Sequence, residues 1–150
     1  MEEPRIDRRT AVGSWLEGPR GAGVELGYPG ERLGRPRSGP GSVARPGPRL
    51  LAFVLDTLMV AAICWGLLGG PTWVTPVFAL EVFVLTALGG ASAGQRLVGL
   101  RVVRLDGRPL GVVGAFVRTL LLCLLVPALI WDRDGRGLHD KAVGSVLVRG

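Results

Sequence analysis

The stretch from Leu50 to Gly70 is 21 residues long and carries one charged side chain, Asp56. At about 1.5 Å of rise per helical residue it matches the ~30 Å hydrocarbon core of a bilayer. Two more apolar runs follow, Thr72–Leu88 and Leu110–Trp131, each with one ionisable residue, Glu81 and Arg118. Blocks this long are out of scale for core helices of a 150-residue water-soluble domain. The sequence therefore predicts a mainly α, integral membrane fold: a three-helix transmembrane bundle with spans at about 50–70, 72–88 and 110–131. A small cytoplasmic β-hairpin or strand element and a disordered N-terminal tail complete the expected architecture. Trp65, Trp73 and Trp131 lie in or at the ends of the runs, and Trp73 and Trp131 suit interfacial anchoring or ordinary packing equally.

The net charge of +6 comes almost wholly from arginine, Lys141 being the single lysine. In a membrane chain this charge belongs to the cytoplasmic flanks of the spans and to anionic headgroups. Nucleic acid is not an expected partner, because no basic helix is interleaved with stacking aromatics. Cys64 and Cys123 both fall inside apolar runs and read as small buried hydrophobes, with neither a disulfide framework nor a metal site. No cofactor is expected. The first apolar run starts 49 residues in, so it would serve as its own insertion signal.

Residues 1–42 read as a Gly/Pro/Arg-rich, mostly disordered cytoplasmic tail, and 43–150 as the membrane domain. The first 48 residues hold ten glycines and seven prolines, which leave little room for a helix or strand. Asp7–Leu16 is the exception, long enough for about two helical turns, although two stray apolar residues in an unstructured tail would look the same. Pro46-Gly47-Pro48 breaks the chain before Arg49, and Gly69-Gly70-Pro71 ends the first span. The connection is short enough to make the first two spans an antiparallel hairpin. Pro76 sits near the start of the second span, where a proline costs least, and Gly89-Gly90 ends it.

The loop Ala91–Pro109 carries Arg96, Arg101, Arg104 and Arg108 against Asp106 alone, which places it and the N-terminal tail in the cytoplasm. Within it, Leu97–Leu105 followed by the Asp106-Gly107 turn signal reads as a β-hairpin. Leu110–Trp131 is long enough to cross, with Pro127 able to bend it. A crossing leaves the C-terminal tail outside, whereas a return near Pro127 keeps it in; the length favours a crossing. Ala142–Val148 reads as a short strand that could pair with the cytoplasmic hairpin.

Charges at membrane depth are costly and normally have partners. From the cytoplasmic side, Asp56 lies ~9 Å down its span, and Arg118 and Glu81 each ~12 Å. The three therefore fall in one layer, in which Asp56 and Arg118 pair with Glu81 nearby. Two readings compete: a site where a carboxylate in low dielectric exchanges a proton or an ion, and a structural ion pair that sets helix register. Arg49, seven residues before Asp56 on the same helix face, is too far along the axis to meet it and reaches headgroups or the tail instead.

Catalysis is not expected. The His139-Asp140 pair resembles part of a metal-dependent phosphohydrolase site, but there is no second histidine in the chain. No nucleophile elbow is present, and Gly89–Arg96 lacks the Gly-Lys-Ser/Thr of a phosphate loop.

Taken in order, these residues resemble the RDD family of bacterial membrane proteins. Arg49 and Asp56 in RLLAFVLD match its first span, and ASAGQRLVGLRVVRLDGRPLG matches the turn and strand after its second. Arg118 in AFVRTLL and the ending GRGLHDKAVGSVLV complete the set, over roughly residues 43–150. Asp140 is the match for the family's second Asp, with Asp132 the other candidate. Gln95-Arg96 stands where Gly-Lys is usual, and Ser145 replaces Thr. The segments GSWLEGPR and GYPGERLG look like those of an actinobacterial subgroup.

The resemblance implies a multi-pass plasma-membrane protein of unsettled molecular role, with ion or proton-coupled transport suggested for some members. Three helices are few for a path, so transport implies a homo-oligomer. The rival is a non-enzymatic membrane adaptor, whose buried charges are structural and whose cytoplasmic face binds a protein partner.

Overall fold

The computed structural model describes residues 27–124, 130 and 134–150. The expected short helix at Asp7–Leu16, and Pro127, Trp131 and Asp132, lie outside the described residues.

The first long helix, α1, spans Pro46–Leu67. It begins earlier than expected: Pro46-Gly47-Pro48 does not break the chain but forms the helix's first turn. The reason is that a first-turn proline lacks only an N–H that would have no intrahelical partner. Its inner face is the four-residue stripe Ala52, Asp56, Val60 and Cys64. A 3₁₀ turn, Pro71–Trp73, leads into α2, Val74–Gly89, and Gly90 caps α2 in the left-handed region at φ 67°. The two helices pack as a hairpin, and Phe53 of α1 meets Phe78 of α2 edge-on with ring centroids 5.5 Å apart.

Both helices are long and apolar enough to cross a membrane, with mean hydropathies of 2.2 for Pro46–Leu67 and 1.6 for Pro71–Gly89. Length alone would not separate them from the core helices of a soluble protein. Their outward faces do: Leu50, Leu58, Trp65, Leu67, Leu80 and Leu88 all stand more than half exposed. An apolar surface this continuous is out of place in water and ordinary in lipid.

After α2 comes the one-and-a-half-turn helix α3, Ala93–Leu97, and then strand β1, Leu100–Arg104. The next helix, α4, covers Gly111–Cys123, 13 residues or about 20 Å. It packs along α2, with Phe83 and Phe116 edge-on at 6.0 Å. The short helix α5, Leu138–Ala142, and strand β2, Ser145–Arg149, close the chain.

The sheet is β1 against β2, antiparallel, in the register Leu100↔Arg149 to Arg104↔Ser145. The C-terminal strand was legible; its partner corrects the hairpin reading of Leu97–Leu105. Asp106-Gly107 does turn the chain, but into α4 rather than into a second strand. The pairing also bears on the third apolar run, read as a crossing with a return near Pro127 as the alternative. Because β2 is bonded to β1, the C-terminal segment lies at the end of the bundle where α4 begins, not opposite it.

Residues 27–45 differ from the expected loose tail. Gly41 donates its N–H to the Arg149 carbonyl at 2.8 Å, Arg149 to Ser42 at 3.0 Å and Ala44 to Leu147 at 2.8 Å. This strap pairs with the outer edge of β2, whose backbone groups would otherwise be left unpaired. It also seals the sheet's outer face, where Val43 packs with Val146, Val148 and Leu33. The inner face, Leu100, Val102 and Leu147, packs with Ala52 and Ala115 of the helices and with Leu110, just before α4.

Candidate functional site

The first N–H groups of any helix have no partner within it. Helix α3 starts in the buried interior, so each of these groups has to be matched by a side chain. The sequence Ser92-Ala-Gly-Gln95 supplies part of the answer as a capping box. Ser92 Oγ accepts from the Gln95 N–H at 3.3 Å, and Gln95 Oε1 accepts from the Ser92 N–H at 3.2 Å. The remaining two donors turn to the long helices. The Ala93 N–H donates to Glu81 Oε1 at 2.9 Å, from α2, and the Gly94 N–H donates to Asp56 Oδ1, from α1. Ser92 Oγ also donates to Asp56 Oδ2 at 2.6 Å. Two carboxylates on two apolar helices thus meet at one helix end, where the backbone dipole favours negative charge.

Glycine at 94 is what lets α3 come this close. A Cβ there would collide with the Ala52 carbonyl oxygen of α1 and would sit 2.8 Å from Asp56 Oδ1. Asp56 and Ser92 are buried, at 3 % and 0 % exposure. Glu81 Oε2, by contrast, is buried without a hydrogen-bond partner.

A second ionic cluster joins the other elements. Arg118 Nε of α4 donates to Asp140 Oδ1 of α5 at 2.7 Å. Arg49 of α1 donates through Nη1 to Asp140 Oδ2 at 3.3 Å and through Nε to the Ala44 carbonyl of the strap at 3.0 Å. His139 Nε2 is 3.6 Å from Asp140 Oδ2, and Ser145 Oγ at the start of β2 lies 3.4 Å from Oδ1. Asp140 is wholly enclosed, and burial alone would raise its carboxyl. The charges of Arg118, His139 and Arg49 outweigh that and hold it at about 2.

The expected Asp56–Arg118 pair is therefore not formed. Asp56 and Glu81 do come together, as expected, but on α3; Arg118 turns to Asp140. Arg49 meets the tail side, as its distance from Asp56 suggested, and Asp140 besides. Of the two candidates for the second Asp, Asp140 holds both arginines, while Asp132 lies outside the described residues. Ser92, Gly94, Gln95 and Ser145 entered the sequence reading only as parts of the family motifs or departures from them, without a bonding role. The Ser-x-x-Gln spacing was the available signal for the first three, since it marks a helix start; nothing local marked Ser145.

An open recess of about 190 Å³ lies between Phe53, Phe78 and Leu122 and is lined by none of these charged residues. Among the described residues there is no group of three or more His, Cys, Asp or Glu placed to hold a metal ion.

The model of the RDD family matches residues 64–144. No curated protein and no solved structure matches the chain.

Proposed function

The chain belongs to the RDD family of membrane proteins, and on that premise we propose that it couples the movement of protons or small cations to the Asp56–Glu81 carboxylate pair. The observation behind this reading is the convergence of two carboxylates from α1 and α2, one of whose oxygens, Glu81 Oε2, is buried and unmatched. A carboxylate in that setting is suited to take up and release a proton or a cation. In this reading α1 and α2 cross the plasma membrane as a hairpin and α4 enters the bilayer beside them. The strap, α3, the sheet and α5 are cytoplasmic, which accords with their arginines and with the uncharged connection at 68–72. So few helices enclose no path alone, and a homo-oligomer completes it. No enzymatic step and no cofactor are part of the proposal.

The test is cation-dependent proton flux in proteoliposomes. Wild type should exceed empty vesicles, with D56N and E81Q reduced at least about tenfold. Wild-type flux at the empty-vesicle level, or full flux in an assembled D56N protein, overturns the reading.

A second reading has one specific feature in its favour. The strap, sheet and α5 form a folded face tied to the helices through Arg49, Arg118 and Asp140, as a protein-binding adaptor requires. Deleting residues 1–42 would remove Ser42 and Gly41 from β2 and confound a partner search. Deletion of 1–26 is the cleaner test: loss of a co-purifying protein supports the adaptor, and retention of every partner counts against a role for the tail.

A further inference from the structure

We propose that α3 is a plug latched by charge: the negative charges of Asp56 and Glu81 hold it against α1 and α2, and loss of those charges releases it. The proposal rests on the carboxylate pair as the proton- or cation-handling site and says how occupancy of that site moves the protein.

Three observations carry it. First, the contacts that dock the start of α3 are carboxylate contacts: Asp56 takes the Ser92 hydroxyl and the Gly94 N–H, and Glu81 takes the Ala93 N–H. Bonds to an ionised acceptor are roughly twice as strong as neutral ones, so neutralising the acceptor weakens every one of them together. Second, α3 cannot persist apart from its docking contacts. At five residues it is far below the length at which a helix persists unaided, and Leu97 at its end is 69 % exposed. Third, the fit is close enough to be two-state. Gly94 lies against the α1 backbone at Ala52, with no room for a methyl group.

The charged groups around the latch are few. From α1 comes Asp56 and from α2 Glu81. From α3 itself comes Arg96, whose guanidinium lies against Gly89. From β1, which packs on α3, come Arg101 and Arg104, the latter paired with Asp106 at 2.7 Å. Arg49 of α1 is engaged with Ala44 and Asp140 instead. When a proton or cation neutralises the pair, α3 loses its capping anions and swings with the 90–99 loop. This uncovers Asp56 from the end of the bundle where β1 and β2 lie.

Hydrogen exchange of the full chain in lipid nanodiscs tests this through the peptide spanning residues 90–100. Wild type should protect the amides of 93–95, whereas D56N/E81Q should exchange them at least about tenfold faster with α1 and α2 unchanged. G94A, which keeps both carboxylates but forces α3 off Ala52, should give the same signature; S92A should be intermediate. Unchanged protection in G94A and in D56N/E81Q overturns the latch, as does uniform loss of protection across α1 and α2. If D56N/E81Q does not insert, G94A and S92A decide alone. Parallel flux assays separate the two proposals. Faster exchange in the variants without wild-type flux removes transport and leaves the latch, and wild-type flux with unchanged exchange removes the latch and leaves transport.

Discussion

Arg118 and Asp140, 22 positions apart, meet through a 2.7 Å Nε–Oδ1 bond with 1 % and 0 % of their side chains exposed. That bond ties the middle of α4 to the segment that follows it. Together with the β1–β2 pairing, it places the C-terminal residues beside the start of α4. Arg49 completes the junction from α1, so that one carboxylate serves two guanidinium groups from two helices.

Removing Asp140 should therefore harm more than removing either arginine. D140A leaves two buried cations without their anion and is expected to cost about 3–5 kcal/mol, whereas R49A, which breaks the longer contact, costs less. The double variant R118M/D140L should recover part of the D140A loss. Thermal unfolding of the purified protein in detergent provides the ranking, and equal losses for D140A and R49A would contradict it.

Acid should loosen the same junction. The Asp140 carboxyl is held at about 2 in the folded protein against an ordinary value of 3.8. A depressed carboxyl contributes stability above its unfolded value and loses it as the pH falls through the folded one. The window is thus from about pH 4 down to about pH 2, and the contribution is about 2 kcal/mol. Unfolding midpoints measured across that range should fall for wild type, and D140N should show a shallower slope there.

Gly90 should resist substitution. It closes α2 at φ 67°, and a Cβ would stand 3.2 Å from the Val102 carbonyl oxygen. G90A is expected to cost about 1–2 kcal/mol from the left-handed backbone. A melting midpoint within experimental error of wild type would refute the assignment of Gly90 as an obligatory cap.

Topology is open to cysteine labelling in a C64A/C123A background. S38C and G150C should react with a membrane-impermeant maleimide from one side, and T72C from the other. In the orientation proposed above, from the basic residues around the strap and sheet, the first side is the cytoplasm. Labelling of G150C together with T72C would mean that the third apolar run crosses after all.

Much of the helical framework was legible beforehand because its determinants are local. Gly69-Gly70-Pro71 and Gly89-Gly90 stop helices through their own backbone preferences, and the helices end there. The strand at Ser145–Arg149 could be seen in its apolar residues, and so could its pairing with the 97–105 segment, but not that this segment supplies a single strand. Asp106-Gly107 offers a hairpin turn, and a turn signal does not report that β2, about 40 residues on, presents a better-matched apolar face. In that strand Val146 and Val148 are buried under the strap on one face and Leu147 against the helices on the other.

The candidate site divides the same way. Depth along a helix follows from counting residues, so the proximity of Asp56 and Glu81 was within reach of the sequence. The direction in which each charge points was not, because it depends on which helix lies against which face.

What the chain's order of residues determined unaided is its solvent. Transfer of apolar side chains out of water adds up residue by residue, so α1 and α2 declare themselves wherever they are placed. Which charge meets which was decided only when the chain packed. A buried ion must satisfy its hydrogen bonds with whatever partners arrive within about 3 Å: Asp56 accepts from Ser92 and Gly94, and Arg118 donates to Asp140, rather than the two meeting each other.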